Sequence, residues 1–460
     1  MKNVRPSRVK EPDLGIGYIS AYLKSKGYET GVIDAFALGS GFGEIEERIK
    51  VFKPDCLGMP LFTFKVREAA EIARRAREWN PEIKVFVGGA HATALPVRTL
   101  EETPFFDFAV IGEGEFTTFE LLEALAAGRG EFGGIKGLCW RDGEAPRRNP
   151  PRAFIRDLDA LPFPDWGAFP LDKYFPLYAK TREFLELPVS SARGCAGRCS
   201  FCFRLTRGYI RSRSEDSVVA EIERDAGEFS ARSVIFMDEA FTAEPERTRR
   251  LCEAMIRAGL HERVHWLCET RVDRADPGLL ALLRRAGCSH VSFGVESGNQ
   301  EILDRNRKGT TLEQAAQAVR DAKRAGLQVD TYYIFGLPWE NRKTMGDTRR
   351  FSLRLDPDFA NYFILVPYPG TLALKLARQG RANLKLLTED WSRYGIQIGS
   401  AMELRDVTRA ELERFQFVSY LVFYLRPRKW KSLFRIVSFR ALPVYLLNIL
   451  SGLGTKKRNP

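Results

Sequence analysis

The chain lacks any run of eighteen apolar residues, the minimum for a membrane-spanning helix, and its first residues lack the apolar core of a secretory leader. A cytoplasmic protein is therefore expected, one whose thiols stay reduced and available to metal. Nor is the composition that of a disordered chain, since 44% of the residues are hydrophobic and 28% charged. With 460 residues there is material for two or three domains with separate cores. Acidic residues are missing from one region. From Arg426 onward stand Arg426, Arg428, Lys429, Lys431, Arg435, Arg440, Lys456, Lys457 and Arg458, with no Asp or Glu among them. Most of the formal net charge of +12 thus belongs to the tail, and the nearly neutral remainder argues against a nucleic-acid-binding face.

Cysteine is scarce too, at eight residues, yet three of the eight are crowded together. Cys195, Cys199 and Cys202 lie in Ser191-Ala-Arg-Gly-Cys-Ala-Gly-Arg-Cys-Ser-Phe-Cys-Phe203, spaced Cys-x3-Cys-x2-Cys. Gly194 and Gly197 let the backbone curl so that three thiolates can face one small volume. Soft thiolates grouped in this way suit a transition metal or an iron–sulfur cluster. A fourth ligand is lacking: no Cys or His follows at zinc-finger spacing, and a closed structural zinc site takes four. A 4Fe-4S cluster held by three cysteines leaves one iron open to another ligand. On these residues alone a zinc knuckle, or three unrelated thiols, stays an alternative.

The spacing, with the aromatic Phe201 just before the last cysteine, resembles that of the radical S-adenosylmethionine (SAM) enzymes. The resemblance implies that Cys195, Cys199 and Cys202 hold a 4Fe-4S cluster whose open iron chelates SAM. Reductive cleavage would then give methionine and a 5′-deoxyadenosyl radical.

Ahead of this stretch the periodicity predicts helices at 14–26, 43–52, 66–79 and 115–127, and strands at 29–34, 56–62, 84–88 and 108–111. Such alternation implies a parallel, doubly wound, Rossmann-like sheet, which binds ligands at the carboxyl ends of its strands. The loops there are 59–63, 88–93 and 112–115, and the glycines of the last two let backbone approach a flat ligand. With Pro12-Asp-Leu-Gly-Ile-Gly17 and Pro54-Asp-Cys-Leu-Gly58, they resemble the cobalamin-binding domain that precedes the radical SAM domain in one large subfamily. That resemblance implies a corrin site lined by Thr63, Gly88, Gly89, His91, Gly112, Glu113 and Gly114. The Asp-x-His-x-x-Gly motif that supplies a cobalt ligand elsewhere is absent, so His91 is expected to line the site without binding cobalt. Residues 1–12 contain no strand-like apolar run, and the first strand of the sheet is expected to be missing.

A segment dense in proline and aromatics, 146–188, reads as a semi-rigid linker lying across the junction, with Trp166 as a packing residue. Strands are then predicted at 187–192, 233–237, 264–269, 289–295, 329–335 and 360–366. Helices are predicted between them at 215–228, 245–258, 276–286, 313–325 and 341–354. Six such units match the partial (β/α)6 barrel of radical SAM enzymes, in which chemistry sits at the C-terminal mouth. Polar residues recur at the strand ends. By resemblance, Asp238 and Glu239 receive the amino group of SAM, Arg271 its carboxylate and Glu296 the ribose hydroxyls. Gly336-Leu-Pro338 lies near the adenine, and Phe201 flanks the cofactor. The isolated Cys252, Cys268 and Cys288 read as core thiols.

The last part, 386–460, is expected to form a helical cap, with Trp391-Ser-Arg-Tyr394 and a helix at 408–425 covering the barrel mouth. Its basic, aromatic tail suits either solvent or peripheral contact with an anionic membrane. The whole reads as an α/β protein in four parts: 1–145 cobalamin-binding, 146–188 linker, 189–385 radical SAM, 386–460 cap and tail. The function implied is a cobalamin-dependent radical SAM enzyme methylating an unactivated carbon of a hydrophobic or natural-product-like small molecule, served by an electron donor such as flavodoxin or ferredoxin. Alternatives are ring formation or oxidation without methyl transfer, as in the anaerobic magnesium-porphyrin cyclases, and a non-catalytic sensor. Transfer-RNA methylthiolation is disfavoured, because Cys56 and the distant Cys139 make no trio where such enzymes carry a further one.

Overall fold

The computed structural model describes residues 11–143, 145–174, 185–206, 208–395 and 399–429. A first sheet is built of β1 (Cys56–Pro60), β2 (Lys84–Gly88) and β3 (Phe108–Val110), all parallel, followed by the antiparallel hairpin β4 (Leu138–Asp142) and β5 (Ala145–Arg148). Helices α1 (Leu14–Ser25), α2 (Phe42–Phe52), α3 (Val66–Trp79), α4 (Pro96–Glu102) and α5 (Glu115–Ala126) pack around it. Alternation along β2 buries Val85 and Val87 against Ala69 and Ala73 of α3. Asp13 starts α1 by accepting the Ile16 N–H at 2.9 Å.

One expected strand is not there. Residues 29–34 join no sheet among the described residues. The Thr30 hydroxyl pairs with Ser20 at 2.7 Å, and Asp34 caps a short helix and accepts from Tyr174 Oη at 2.7 Å. The hairpin β4–β5, by contrast, was not foreseen. The expectation of a missing first strand concerns residues 1–12, of which 1–10 lie outside the described residues.

The linker does bridge the two halves. Trp166 is fully buried, packs with Phe169, Leu187 and Ala231, and sits so close to α1 that a β-carbon on Gly17 would lie 3.0 Å from its ring. The second sheet consists of six parallel strands in sequential order: β6 (Leu185–Val189), β7 (Ala231–Phe236), β8 (His265–Thr270), β9 (Cys288–Glu296), β10 (Gln328–Phe335) and β11 (Phe359–Ile364). Helices α6 (Glu215–Glu228), α7 (Pro245–Arg257), α8 (Pro277–Arg285), α9 (Leu312–Arg324) and α10 (Arg342–Leu355) alternate with them. This is the expected partial barrel, with one continuous core that includes Cys252, Cys268 and Cys288.

Such a barrel is open, so β11 would leave unpaired backbone groups at its edge. Helix α11 (Arg409–Tyr424), begun by a capping box of Thr408 and Glu411, lies along that edge, and Leu412 in its first turn reaches Gly336 at the C-terminal end of β10. Its Tyr420 and Tyr424 hydroxyls bond the backbone of Tyr362 and Ala360. The Trp391–Tyr394 segment lies elsewhere again, against the first sheet's helices. Two cations of the tail are committed, Arg426 to the Leu353 carbonyl and Lys429 to Asp356 at 2.9 Å. From Trp430 on, the tail lies outside the described residues. No helix among the described residues is long and apolar enough to cross a membrane.

Candidate active site

The cysteine loop leaves β6 and returns through a two-residue antiparallel ladder, in which Ala192 faces Ser212 and Arg193 faces Arg211. Gly194 turns the chain inside this ladder with φ +113°, and a β-carbon there would lie 2.1 Å from the Tyr209 carbonyl oxygen. Gly197 sits among the thiols. A β-carbon on it would be 3.2 Å from Cys195 Sγ and 3.9 Å from Cys199 Sγ, and its N–H donates to Cys195 Sγ at 3.3 Å. The loop is fastened to the barrel through Ser200, whose N–H donates to the Asn306 carbonyl at 3.0 Å and whose carbonyl accepts from Ala373. Asn306 in turn donates to the Pro338 carbonyl at 3.0 Å.

Cys195 is half-buried, Cys199 buried and Cys202 exposed. The Cys199 thiol is held below its usual range, first by a hydrogen bond from Cys202 and then by the Lys308 and Arg271 cations, against the opposing effect of burial. Among the described residues no three His, Cys, Asp or Glu side chains close on a single ion. Three thiols ringing a cluster several ångströms across make a wider set, and an amide N–H with two cations beside them suits the negative charge of such a cluster.

The predicted SAM residues do not share one fate. Asp238 is buried and already spent: it accepts from the Ser191 N–H at 2.7 Å, the Ala192 N–H at 3.1 Å and the Ser191 hydroxyl. Its role is to hold the foot of the cysteine loop, which corrects its assignment to the SAM amino group. Glu239 remains exposed, with one oxygen accepting from the Gly194 N–H at 2.7 Å. Glu296, at φ +67°, accepts from Lys308 Nζ at 2.8 Å, and a β-carbon on Gly294 would collide with its Oε1. Arg271 is fixed by Asp273 at 2.9 Å and the Lys308 carbonyl at 2.8 Å, with Nη1 near Gly197. Phe201 packs half-buried on the barrel core. Gly336, at φ +80°, donates its N–H to Glu340 at 2.8 Å and is shielded by Leu412 and Met402. Lys308 was missed, because its sole sequence signal, a basic residue before glycine in a loop, looks like any solvated cation.

In the first sheet, Gly89 (φ +90°) and Gly112 (φ +86°) follow β2 and β3, and a β-carbon on Gly112 would meet nothing within 4 Å. Gly88 has Val110 as its neighbour at 3.8 Å. This glycine-edged opening fits a flat ligand. Thr63 is buried and pairs with His91 Nδ1 at 3.2 Å. His91 is itself 1% exposed beneath the edge of Trp391, its Nε2 has no hydrogen-bond partner, and burial pushes the imidazole down to about 4. It is therefore a neutral packed group with one free nitrogen. Gly114 is packed under Ile19, and the Glu113 carboxylate is wholly engaged by Arg193, Arg211 and the Ile155 N–H. Those two depart from the expected lining because they face the barrel and α1, not the opening.

Comparison with known proteins was made on sequence and on structure. The Radical SAM superfamily model matches residues 189–352, and the B12 binding domain model matches residues 3–122. An uncharacterized methyltransferase of Pyrococcus horikoshii is 33% identical over 91% of this chain and 88% of its own length. The anaerobic magnesium-protoporphyrin IX monomethyl ester cyclase of Cereibacter sphaeroides is 31% identical, covering 95% of this chain and 71% of its own. Among solved structures, the radical SAM methyltransferase TsrM from Kitasatospora setae, with cobalamin and an iron–sulfur cluster bound, superposes with a TM-score of 0.72. It covers 95% of this chain and 88% of that one at 18% identity, a likeness of fold.

Proposed function

The chain belongs to the cobalamin-dependent radical SAM family, and on that premise we propose that it methylates an unactivated carbon of a hydrophobic small molecule. A 4Fe-4S cluster, SAM and cobalamin are its cofactors. When bound, they supply the electron that cleaves SAM, the radical that removes a hydrogen atom, and the methyl group transferred. The chain's own residues hold and orient. Cys195, Cys199 and Cys202 ligate the cluster, with the Gly197 N–H directed at sulfur. Glu239 accepts from the SAM ammonium, Arg271 pairs with its carboxylate, and Glu296, steadied by Lys308, accepts from the ribose hydroxyls. Phe201 and the Gly336 turn flank the nucleoside. Gly88, Gly89 and Gly112 border the corrin, and His91, buried against Trp391, stands behind that edge as a packing residue.

The observation that carries this reading is the placement of the three-thiol loop at a barrel-strand end, tied by Arg193 to the loop that follows β3. A hydrophobic substrate is favoured by the inner face of the barrel. Met237 is 47% exposed there, and Tyr332 packs edge-on with Phe363 at 6.0 Å on the sheet face that carries Glu269 and Glu296. The parts 1–145, 146–188, 189–385 and 386–460 serve as the working division, although the first sheet runs on to Arg148 and the barrel already starts at Leu185. A reduced flavodoxin or ferredoxin is the proposed electron donor, and peripheral membrane contact is assigned to the tail beyond Lys429.

Anaerobic reconstitution with iron, sulfide and cobalamin tests the proposal. With SAM and a reductant the protein should form 5′-deoxyadenosine well above a C199A control, and equal amounts in both would overturn the reading. Methyl-labelled SAM should transfer its label to the bound corrin. The cyclase likeness supports a second reading, ring formation or oxidation, for which no label should transfer.

A further inference from the structure

The cysteine loop is closed by two opposed arginines. Arg193 and Arg211 stand directly across the ladder from each other, a placement in which like charges repel. Arg211 is buried, its side chain 3% exposed, and lies over the Phe154 ring at 4.9 Å. Arg193 lies over the Tyr18 ring of α1 at 5.1 Å. Among the described residues neither finds its carboxylate partner within the barrel. Glu113 supplies one: Oε1 accepts from Arg193 Nη1 and from Arg211 Nη1, both at 2.9 Å, and Oε2 accepts from Arg211 at 2.8 Å. Glu115 adds a bond to Arg193 Nη2 at 2.7 Å, and the Ile155 N–H holds Glu113 Oε2 at 2.8 Å. Glu113 comes from the loop after β3, whose Gly112 edges the proposed corrin opening, Glu115 opens α5 directly behind it, and both side chains are 6% exposed.

We propose that Glu113 is a positioning residue whose carboxylate locks the base of the cysteine loop to the loop following β3, so that cluster and corrin keep one fixed separation. This rests on the functional reading above. Without Glu113 the ladder would close over a buried guanidinium of Arg211 with no carboxylate and a part-buried Arg193 left to Glu115 alone, so the cysteine loop depends electrostatically on the first domain. The backbone joining Gly112 to Glu113 is a single peptide link. A ligand settling against Gly112 therefore presses on the clamp, and the clamp on Arg193, two residues before Cys195.

Hydrogen–deuterium exchange on the full chain, reconstituted with iron and sulfide and measured with and without cobalamin, tests this. In E113A, exchange across residues 192–212 should rise about tenfold over wild type while the barrel helices stay unchanged. Added cobalamin should slow 192–212 in the wild type and not in E113A. E113D, which keeps the charge on a shorter arm, should protect this segment better than E113Q, which keeps the shape without the charge. Wild-type exchange at 192–212 in E113A, a cobalamin-bound wild type unchanged at 192–212, or E113Q protecting better than E113D would each overturn the proposal. If E113A exchanges fast everywhere, E113Q decides: acceleration confined to 192–212 supports the clamp, and wild-type exchange overturns it. No turnover is needed, so a failure of methyl transfer would sink the functional reading and leave this result standing. A chain whose absorption spectrum shows no corrin uptake would do the same, and the arm without cobalamin would still decide.

Discussion

At Gly194 a single β-carbon separates a formed cysteine loop from an unformed one. It would lie 2.1 Å from the Tyr209 carbonyl oxygen, on backbone at φ +113° that side-chain-bearing residues avoid. Gly194→Ala should therefore cut bound iron after reconstitution severalfold with little change in circular dichroism, and full iron loading would refute the steric account. Glu340 allows a second prediction, in pH. It is fully buried, accepts the N–H groups of Gly336 and Leu337, and burial pushes its carboxyl up to about 8. The folded chain thus holds a proton that the unfolded chain releases near the ordinary carboxyl value. The stability tied to it is complete at acid pH and is lost as pH rises toward 8. Unfolding free energies of the wild type from urea titration should fall between pH 5 and 8 more steeply than those of Glu340→Gln, by on the order of 1–3 kcal/mol; parallel slopes would remove Glu340 as the cause. Legibility differed among residues for a physical reason. The three cysteines could be read because cluster ligands are neighbours in sequence, whereas Asp238 owes its role to Ser191, 47 residues away, as only the fold reveals.

Elements with strong periodicity were read almost to the residue, their roles less well. The structure has a helix at Arg409–Tyr424 where apolar spacing indicated 408–425, but its tyrosine hydroxyls meet a strand some 60 residues earlier, and no local pattern encodes that. Segment 29–34 failed the other way: its Val32 and Ile33 are partly buried on packed clusters, which accounts for the strand-like pattern, yet among the described residues its backbone pairs with no strand. The edge-covering role of α11 yields a prediction. Removing the Tyr420 and Tyr424 hydroxyls deprives the Tyr362 and Ala360 N–H groups of their acceptors and loosens the cover over β11. Each of Tyr420→Phe and Tyr424→Phe should cost about 1–3 kcal/mol in urea unfolding, and the double variant should self-associate in gel filtration. A monomeric double variant of wild-type stability would show that the edge needs no such cover.

At the scale of the whole molecule, the two sheets are held together from both ends of the chain. Besides the Glu113 clamp and the Trp166 wedge, the segment after the barrel reaches back to the first sheet. Trp391, 6% exposed, donates its indole N–H to Glu102 at 2.7 Å, packs edge-on with His91 at 5.2 Å and carries Arg98 above its ring at 4.6 Å. The Arg98–Glu389 pair beside it, at 2.8 Å, joins two side chains each about a third exposed and is worth under about 1 kcal/mol. Burial of the indole, not the ion pair, must then fix the first sheet's α4 to the C-terminal segment. Trp391→Ala should cost about 3–5 kcal/mol, most of it local to this junction. Calorimetry should resolve an earlier transition for the first sheet, and limited proteolysis should open sites between residues 90 and 102, while Arg98→Ala melts within a degree or two of wild type. His91 would lose its cover at the same time, so its imidazole, now pushed down to about 4 by burial, should rise toward its ordinary value. If Trp391→Ala instead melts in one transition at the wild-type temperature, the clamp at Glu113 and the wedge at Trp166 are enough to hold the sheets as one body.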